Sequence, residues 1–229
     1  MKKISLIILS ILSLTVFANG NEETSAISAN VAIANDYVWR GLGQHQNSAG
    51  TTVKKTTVSG GLDYDLSNGF AVGVWGSNIS VNGNATESDG SIEMDLYGSY
   101  SNEYKDVGYE VGYISYQYPG RSDLNFKESY LSLSYKEFGL SHYLQEDSNT
   151  NYTEVSYAKT FEGIDTSISY GDYNVKDDAG QDTGNKVWTL GLAKEFNGLE
   201  YSVSLIKTNF DDSATDNKES VVFSIGKSF

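Results

Sequence analysis

The sequence predicts an all-β protein, a transmembrane antiparallel up-and-down β-barrel of about 12 strands. Three observations carry that expectation. From residue 26 onward, apolar and polar side chains alternate with a period of two, the mark of a half-buried strand. The links between the alternating segments take turns between short and long. The composition combines 17 Tyr and 23 Gly with a single Pro and no Cys, at 39% hydrophobic residues and a mean hydropathy of -0.37. A membrane barrel reads this way because only every second strand residue meets lipid. Tyr suits strands and interfaces, and a sheet with every ladder bond in use has little room for Pro.

The elements follow in order along the chain. Met1-Lys2-Lys3 precedes an apolar stretch from Ile4 to Phe17, the layout of a secretory signal peptide. Val16 and Ala18 are small enough to precede a signal-peptidase cut, placed here after Ala18. The run falls short of the roughly 20 apolar residues of a spanning helix, which disfavours a retained anchor. No Cys stands beside the cut to carry a lipid. Residues 19–25 read as a short periplasmic leader and residues 26–229 as the barrel. An exported chain without disulfides needs a large core or a closed sheet to hold it.

The first strand and its exit are read as one segment, Asn30-Val31-Ala32-Ile33-Ala34-Asn35-Asp36-Tyr37-Val38-Trp39-Arg40-Gly41-Leu42. On that reading Asp36 and Arg40, four apart, share a face. Later copies of the alternation are Val58, Leu62, Tyr64, Leu66; Ile92, Met94, Leu96; Val107, Tyr109, Val111, Tyr113; Ile164, Thr166, Ile168, Tyr170; Trp188, Leu190, Leu192; and Leu199, Tyr201, Val203, Leu205. The last places Val221, Phe223, Ile225 and Phe229 against Val222, Ser224, Gly226 and Ser228. Short links fall at Ser67-Asn68-Gly69, 102–106, 136–139, Phe161-Glu162-Gly163 and Phe196-Asn197-Gly198, where Asn-Gly pairs are strong hairpin signals. Longer polar links cover 41–54, 81–90, 119–125, 146–151, 175–186 and 211–218. Such alternation implies strands of about 10 residues, long enough to span a bilayer when tilted. Short turns then face the periplasm and long loops the exterior. A β-sandwich or lipocalin-like barrel would not demand this rhythm.

Chemistry-bearing residues sit on the polar parity. Asp63, Asp65, Glu93, Asp95, Glu110, Asp165 and Glu200 share it with Ser and Gly, so they are expected in the lumen. Rings of carboxylates select cations; the plainer alternative is that they hydrogen-bond across a filled interior, since a barrel of this size lies between filled and open ones. Arg40 is either a positive counterpart across a constriction or, the reading favoured, a structural clamp among lumen carboxylates. Lumen width turns on whether loop 41–54 folds inward.

Formal net charge is -14, and loss of Lys2 and Lys3 makes it about -16. Acids crowd the long links at Glu87, Asp89, Glu146, Asp147, Asp177, Asp178, Asp182, Asp211, Asp212 and Asp216, while Lys105, Lys136, Lys159, Lys194 and Lys227 lie towards the short turns. An acidic rim concentrates cations and excludes nucleic acid as a partner. Asp177-Asp178 and Asp211-Asp212 lack EF-hand spacing, and Gly41-Leu42-Gly43 is no phosphate loop, so neither metal nor cofactor is expected. Catalysis is not expected either. His45 falls in the first long loop and His142 shares parity with Phe138, Leu140 and Leu144, without a nucleophile and carboxylate beside either.

The opening Asn30 to Leu42, with Asp36-Tyr37 followed by Arg40-Gly41, resembles the start of the TorF-type porins, a bacterial family also catalogued as Gcw_chp. Val58-Ser59-Gly60-Gly61-Leu62-Asp63-Tyr64 and Val72-Gly73-Val74-Trp75-Gly76-Ser77-Asn78 are similar too. The resemblance implies an outer-membrane porin; the lumen acids add the expectation of small polar, cation-favoured solutes, with a filled, non-transporting barrel as the alternative. Outer-membrane lipids would be its surroundings. Phe229 resembles the terminal signal read by the barrel-assembly machinery. Lys227 departs from the aromatic often found two residues before such an end, and a lysine there can snorkel to the interface.

Overall fold

The computed structural model describes residues 26–47, 51–81, 90–176, 180, 182–211 and 217–229. The signal peptide, the leader and the loop acids Glu87, Asp89, Asp177, Asp178, Asp212 and Asp216 lie outside the described residues. Twelve long strands form the wall: β1 (Ile27–Ala34), β4 (Thr57–Ser67), β5 (Phe70–Val81), β6 (Gly90–Tyr104), β7 (Val107–Gln117), β8 (Phe126–Tyr135), β9 (Phe138–Gln145), β10 (Asn151–Phe161), β11 (Ile164–Asn174), β12 (Asn185–Phe196), β13 (Leu199–Phe210) and β14 (Lys218–Ser228). Each pairs antiparallel with its sequence neighbour, and β1 pairs with both β4 and β14, closing the barrel. Two further short strands, β2 (Val38–Trp39) and β3 (Leu42–Gly43), form a separate hairpin.

At one end the strands are joined by two-residue turns. Lys105-Asp106, Glu162-Gly163 and Asn197-Gly198 all take left-handed φ at both positions, the geometry whose twist matches the flanking strands. Ala29 and Phe229 exchange backbone hydrogen bonds at 2.9 and 3.2 Å, completing the seam.

The wall is apolar outside and polar inside. Val31, Leu62, Leu96, Leu131, Val155, Leu190 and Leu205 stand exposed on the outer face. In water such a continuous apolar band would be untenable, whereas lipid solvates it. At the short-turn end it finishes in a girdle that includes Phe70, Tyr104, Tyr135, Phe138, Phe161, Phe196 and Phe229. Lysines reach over those rings: Lys105 over Tyr104 at 5.0 Å, Lys136 over Tyr135 at 5.1 Å and Lys227 over Phe229 at 5.0 Å. Lys227 thus sets its ammonium over the terminal ring.

On the inner face large and small residues are matched. The Tyr97 ring lies over Gly73, its register partner, so closely that a methyl group there would stand 2.4 Å from the ring. Its hydroxyl then reaches across β5 to Asp63 at 2.5 Å. Tyr130 lies over its register partner Gly112 in the same way, and Tyr152 reaches diagonally over Gly171.

The first strand departs from the expected course. β1 stops at Ala34, so Asp36 and Arg40 lie beyond it and do not share a strand face. Asn35 explains the exit. Its N–H donates to the Phe223 carbonyl (3.1 Å), its side-chain amide donates to the Val221 carbonyl (3.2 Å), and its Oδ1 accepts the Phe223 N–H (2.7 Å). One side chain replaces the next strand residue against β14, and the backbone is free to turn into the lumen. Across the gap Asn78 does the same for β4, its Oδ1 accepting the Val58 N–H at 2.6 Å.

Candidate functional site in the lumen

The first loop leaves the wall at residue 35, its described residues 36–47 cross the barrel at the long-loop end, and the wall resumes at residue 57. Its tip is the β2–β3 hairpin, turned by Arg40 (φ +48°) and Gly41 (φ +82°). Each of the four residues that marked the opening motif now has a contact. Asp36 Oδ1 accepts the Tyr37 N–H at 2.9 Å. Tyr37 donates its hydroxyl to Glu93 Oε1 (2.6 Å) and meets Trp75 edge-on at 5.7 Å between centroids. The Gly41 carbonyl accepts Thr208 Oγ1 at 3.0 Å, and a Cβ at Gly41 would stand 2.5 Å from that oxygen.

Arg40 makes the strongest of these contacts. Its Nη1 and Nη2 donate to the two carboxylate oxygens of Glu128 at 2.7 and 2.8 Å, a bidentate fork. Around it stand Trp39 (4.3 Å), Tyr152 (4.5 Å), Tyr143 (4.6 Å) and Tyr173 (5.6 Å), all at cation–π distance. Tyr116 donates to Glu128 Oε2 at 3.1 Å. The Arg40 and Glu128 side chains are 7% and 0% exposed. Arg40 is therefore the clamp, not a free positive wall.

The loop's return limb is fastened separately. His45 Nε2 lies 2.9 Å from Thr57 Oγ1 and Nδ1 lies 3.3 Å from Ser80 Oγ, while the Gln46 N–H donates to the Ser80 carbonyl at 2.7 Å. Burial, aided by nearby Lys55, pulls the His45 pKa below the usual imidazole value. Burial pushes the Asp36 carboxyl up, with the Tyr37 N–H opposing.

The predicted lumen acids fall into two tiers. Glu93 and Asp95 are buried under the loop at 2% exposure each. Asp95 Oδ1 is buried without a hydrogen-bond partner. Nearer the short turns, Asp63 accepts from Tyr97, Glu110 from Tyr130, Asp165 from Thr160 (2.5 Å) and Asp65 from the Ser67 N–H (2.7 Å). Glu200 lies on the inner parity of β13. Of the predicted site, Asp36 and Arg40 stand on the loop, Glu93 and Asp95 lie buried under it, and the rest line the space nearer the short turns. Sequence reasoning passed over Glu128, Glu154 and the cage tyrosines. Their signal was there, since Glu128 shares parity with Tyr130, Ser132 and Ser134 against Leu131 and Leu133. His142 points outward and bonds Thr153 Oγ1 at 2.8 Å. At the rim, Lys186 pairs with Asp211 at 2.6 Å and Lys176 with Asp182 at 3.8 Å.

A family model described as a bacterial protein of unknown function (Gcw_chp) matches residues 18–229. No curated protein matches the chain. Among solved structures the chain is similar to a membrane protein studied for its in-meso crystallization, at 9% identity and TM-score 0.53 over 89% of this chain and 83% of the other. It is similar to LpxR from Salmonella typhimurium at 10% identity and TM-score 0.51, over 87% and 99%. The outer membrane protein OpdK from Pseudomonas aeruginosa follows at 12% identity and TM-score 0.45, over 91% and 67%. At such identities the likeness is one of fold: a transmembrane β-barrel.

Proposed function

The chain belongs to the bacterial Gcw_chp family, and from that premise we propose an outer-membrane porin for small polar solutes whose first loop closes the lumen at rest. The observation that carries this is the crossing of the lumen by the described limb of the first loop, residues 35–47, locked where Arg40 meets Glu128. Beneath the loop the wall is lined by Asp63, Glu110, Glu154, Asp165 and Glu200 among serines and glycines. Lys218, at the outer rim, is the one Lys or Arg on the inner parity of the described strands. Such a space favours cations and repels anions. Passage requires the loop to move. The resemblance to TorF-type porins carries the same expectation, with outer-membrane lipids around the apolar band and the barrel-assembly machinery engaging β14 and Phe229. No catalytic chemistry is assigned, because His45 is committed to Thr57 and Ser80 and His142 faces outward.

Planar-bilayer conductance of the refolded protein tests the reading. The wild type should give rare, small steps. Arg40→Ala should give frequent, larger and cation-selective ones, and Asp63→Asn with Glu110→Gln in that background should reduce the selectivity. No steps from any of these variants would replace transport with a permanently filled barrel.

A further inference from the structure

Apart from Trp39, the cage around Arg40 is built by the wall and not by the loop. Glu128, Tyr143, Tyr152 and Tyr173 come from four successive strands, β8 to β11, and all point inward at the long-loop end. Three ring faces within 5.6 Å of the guanidinium carbon and a bidentate carboxylate are what a planar cation requires. Asp95 adds a buried, unpartnered oxygen within electrostatic range of Glu128. The loop contributes the cation and Trp39, and it has other fastenings at Tyr37, Gly41 and His45.

We propose that the wall carries a binding site for guanidinium- or ammonium-bearing solutes, occupied at rest by Arg40 as an internal stand-in. A cationic solute entering from the loop side competes with Arg40 for Glu128 and the three tyrosines, and its binding releases the hairpin tip. This deepens the porin reading by naming the solute class and what opens the gate, and the gating part rests on that reading. The binding site itself does not. The rings and the carboxylate select shape and charge together: a neutral planar molecule of the same size can hydrogen-bond the buried carboxylate but neither neutralises its charge nor gains the cation–π attraction, so it binds far more weakly. Arg40 competes at an effective concentration of about millimolar or more, being tethered. Free solute therefore binds the wild type far more weakly than a chain lacking the Arg40 side chain.

The test uses Arg40→Ala protein refolded in detergent, with methylguanidinium as probe and methylurea as its neutral counterpart. Tryptophan fluorescence, read as the difference that Trp39→Phe abolishes, and the thermal midpoint are the readouts. Saturable binding of methylguanidinium with a raised midpoint is expected, none for methylurea, and at least tenfold weaker half-saturation in the wild type. Arg40→Ala/Glu128→Gln should lose the response. Equal responses to both probes, or none in a variant whose heat-modifiable electrophoretic mobility shows a folded barrel, would overturn the site. Should Arg40→Ala fail to fold, Arg40→Gln keeps the bulk without the charge and is held to the same outcomes. Binding without any conductance would leave the site standing and remove the gating role.

Discussion

Single residues hold the loop, and each does so by a different kind of force. Arg40 and Glu128 are buried together, and removing one partner of such a pair typically costs about 3–5 kcal/mol. The barrel need not unfold to relieve that cost, because the hairpin tip can leave. Gly41 has a backbone requirement instead. Its φ of +82° and the 2.5 Å approach of a Cβ to Thr208 make Gly41→Ala a strained change of about 1–3 kcal/mol, aimed at the hairpin alone. Hydrogen exchange should show residues 38–43 losing protection in Gly41→Ala while the wall strands keep theirs. His45 adds a pH dependence. Its pKa is depressed where the loop is docked, so the undocked state binds the proton more readily and docking weakens as pH falls through about 6.5. Protection factors around residues 44–47 should drop between pH 7.5 and 5.5, and His45→Asn should flatten that change.

At the level of elements, ring-on-glycine contacts set how neighbouring strands meet. Tyr97 can reach Asp63 because Gly73 leaves the inner surface of β5 bare beneath the ring. Gly73→Ala must push the ring away and break that hydrogen bond, an overpacking change of about 1–3 kcal/mol. Tyr97→Phe removes only the hydroxyl, about 1 kcal/mol. Urea unfolding should rank Gly73→Ala below Tyr97→Phe in stability, and the reverse order would deny the contact its role. The wall strands were legible from residue order because burial and side-chain direction share one period, so alternation at Val58 to Leu66 or Leu199 to Leu205 carries both. The exit at Asn35 was not. A side-chain amide there takes over backbone hydrogen bonds, and no hydrophobic period records that exchange. Arg40's role as a clamp was foreseen, but its partner is 88 residues away on β8, and no local pattern ties the two.

At the scale of the whole molecule, the barrel wall inverts the usual arrangement, with an apolar outer surface and a set of carboxylates on its inner face. The charge imbalance inside is tolerable because the acids accept hydrogen bonds from inner-face tyrosines, as at Asp63, Glu110 and Glu154. It also predicts how the two faces of one strand answer to one substitution. Val155, midway along β10, is exposed on the outer face, and Ser156 beside it lies on the inner parity. Val155→Arg places a charge near the middle of the hydrocarbon, at a cost of about 2–4 kcal/mol. Ser156→Arg places the same charge in a space that already holds Glu154 and Asp165 and has no inner-face lysine or arginine among the described residues at that depth. It should cost far less and should turn residual conductance away from cations. Urea unfolding in phospholipid vesicles separates the two, and equal losses would mean that β10 does not divide lipid from lumen as its alternation requires.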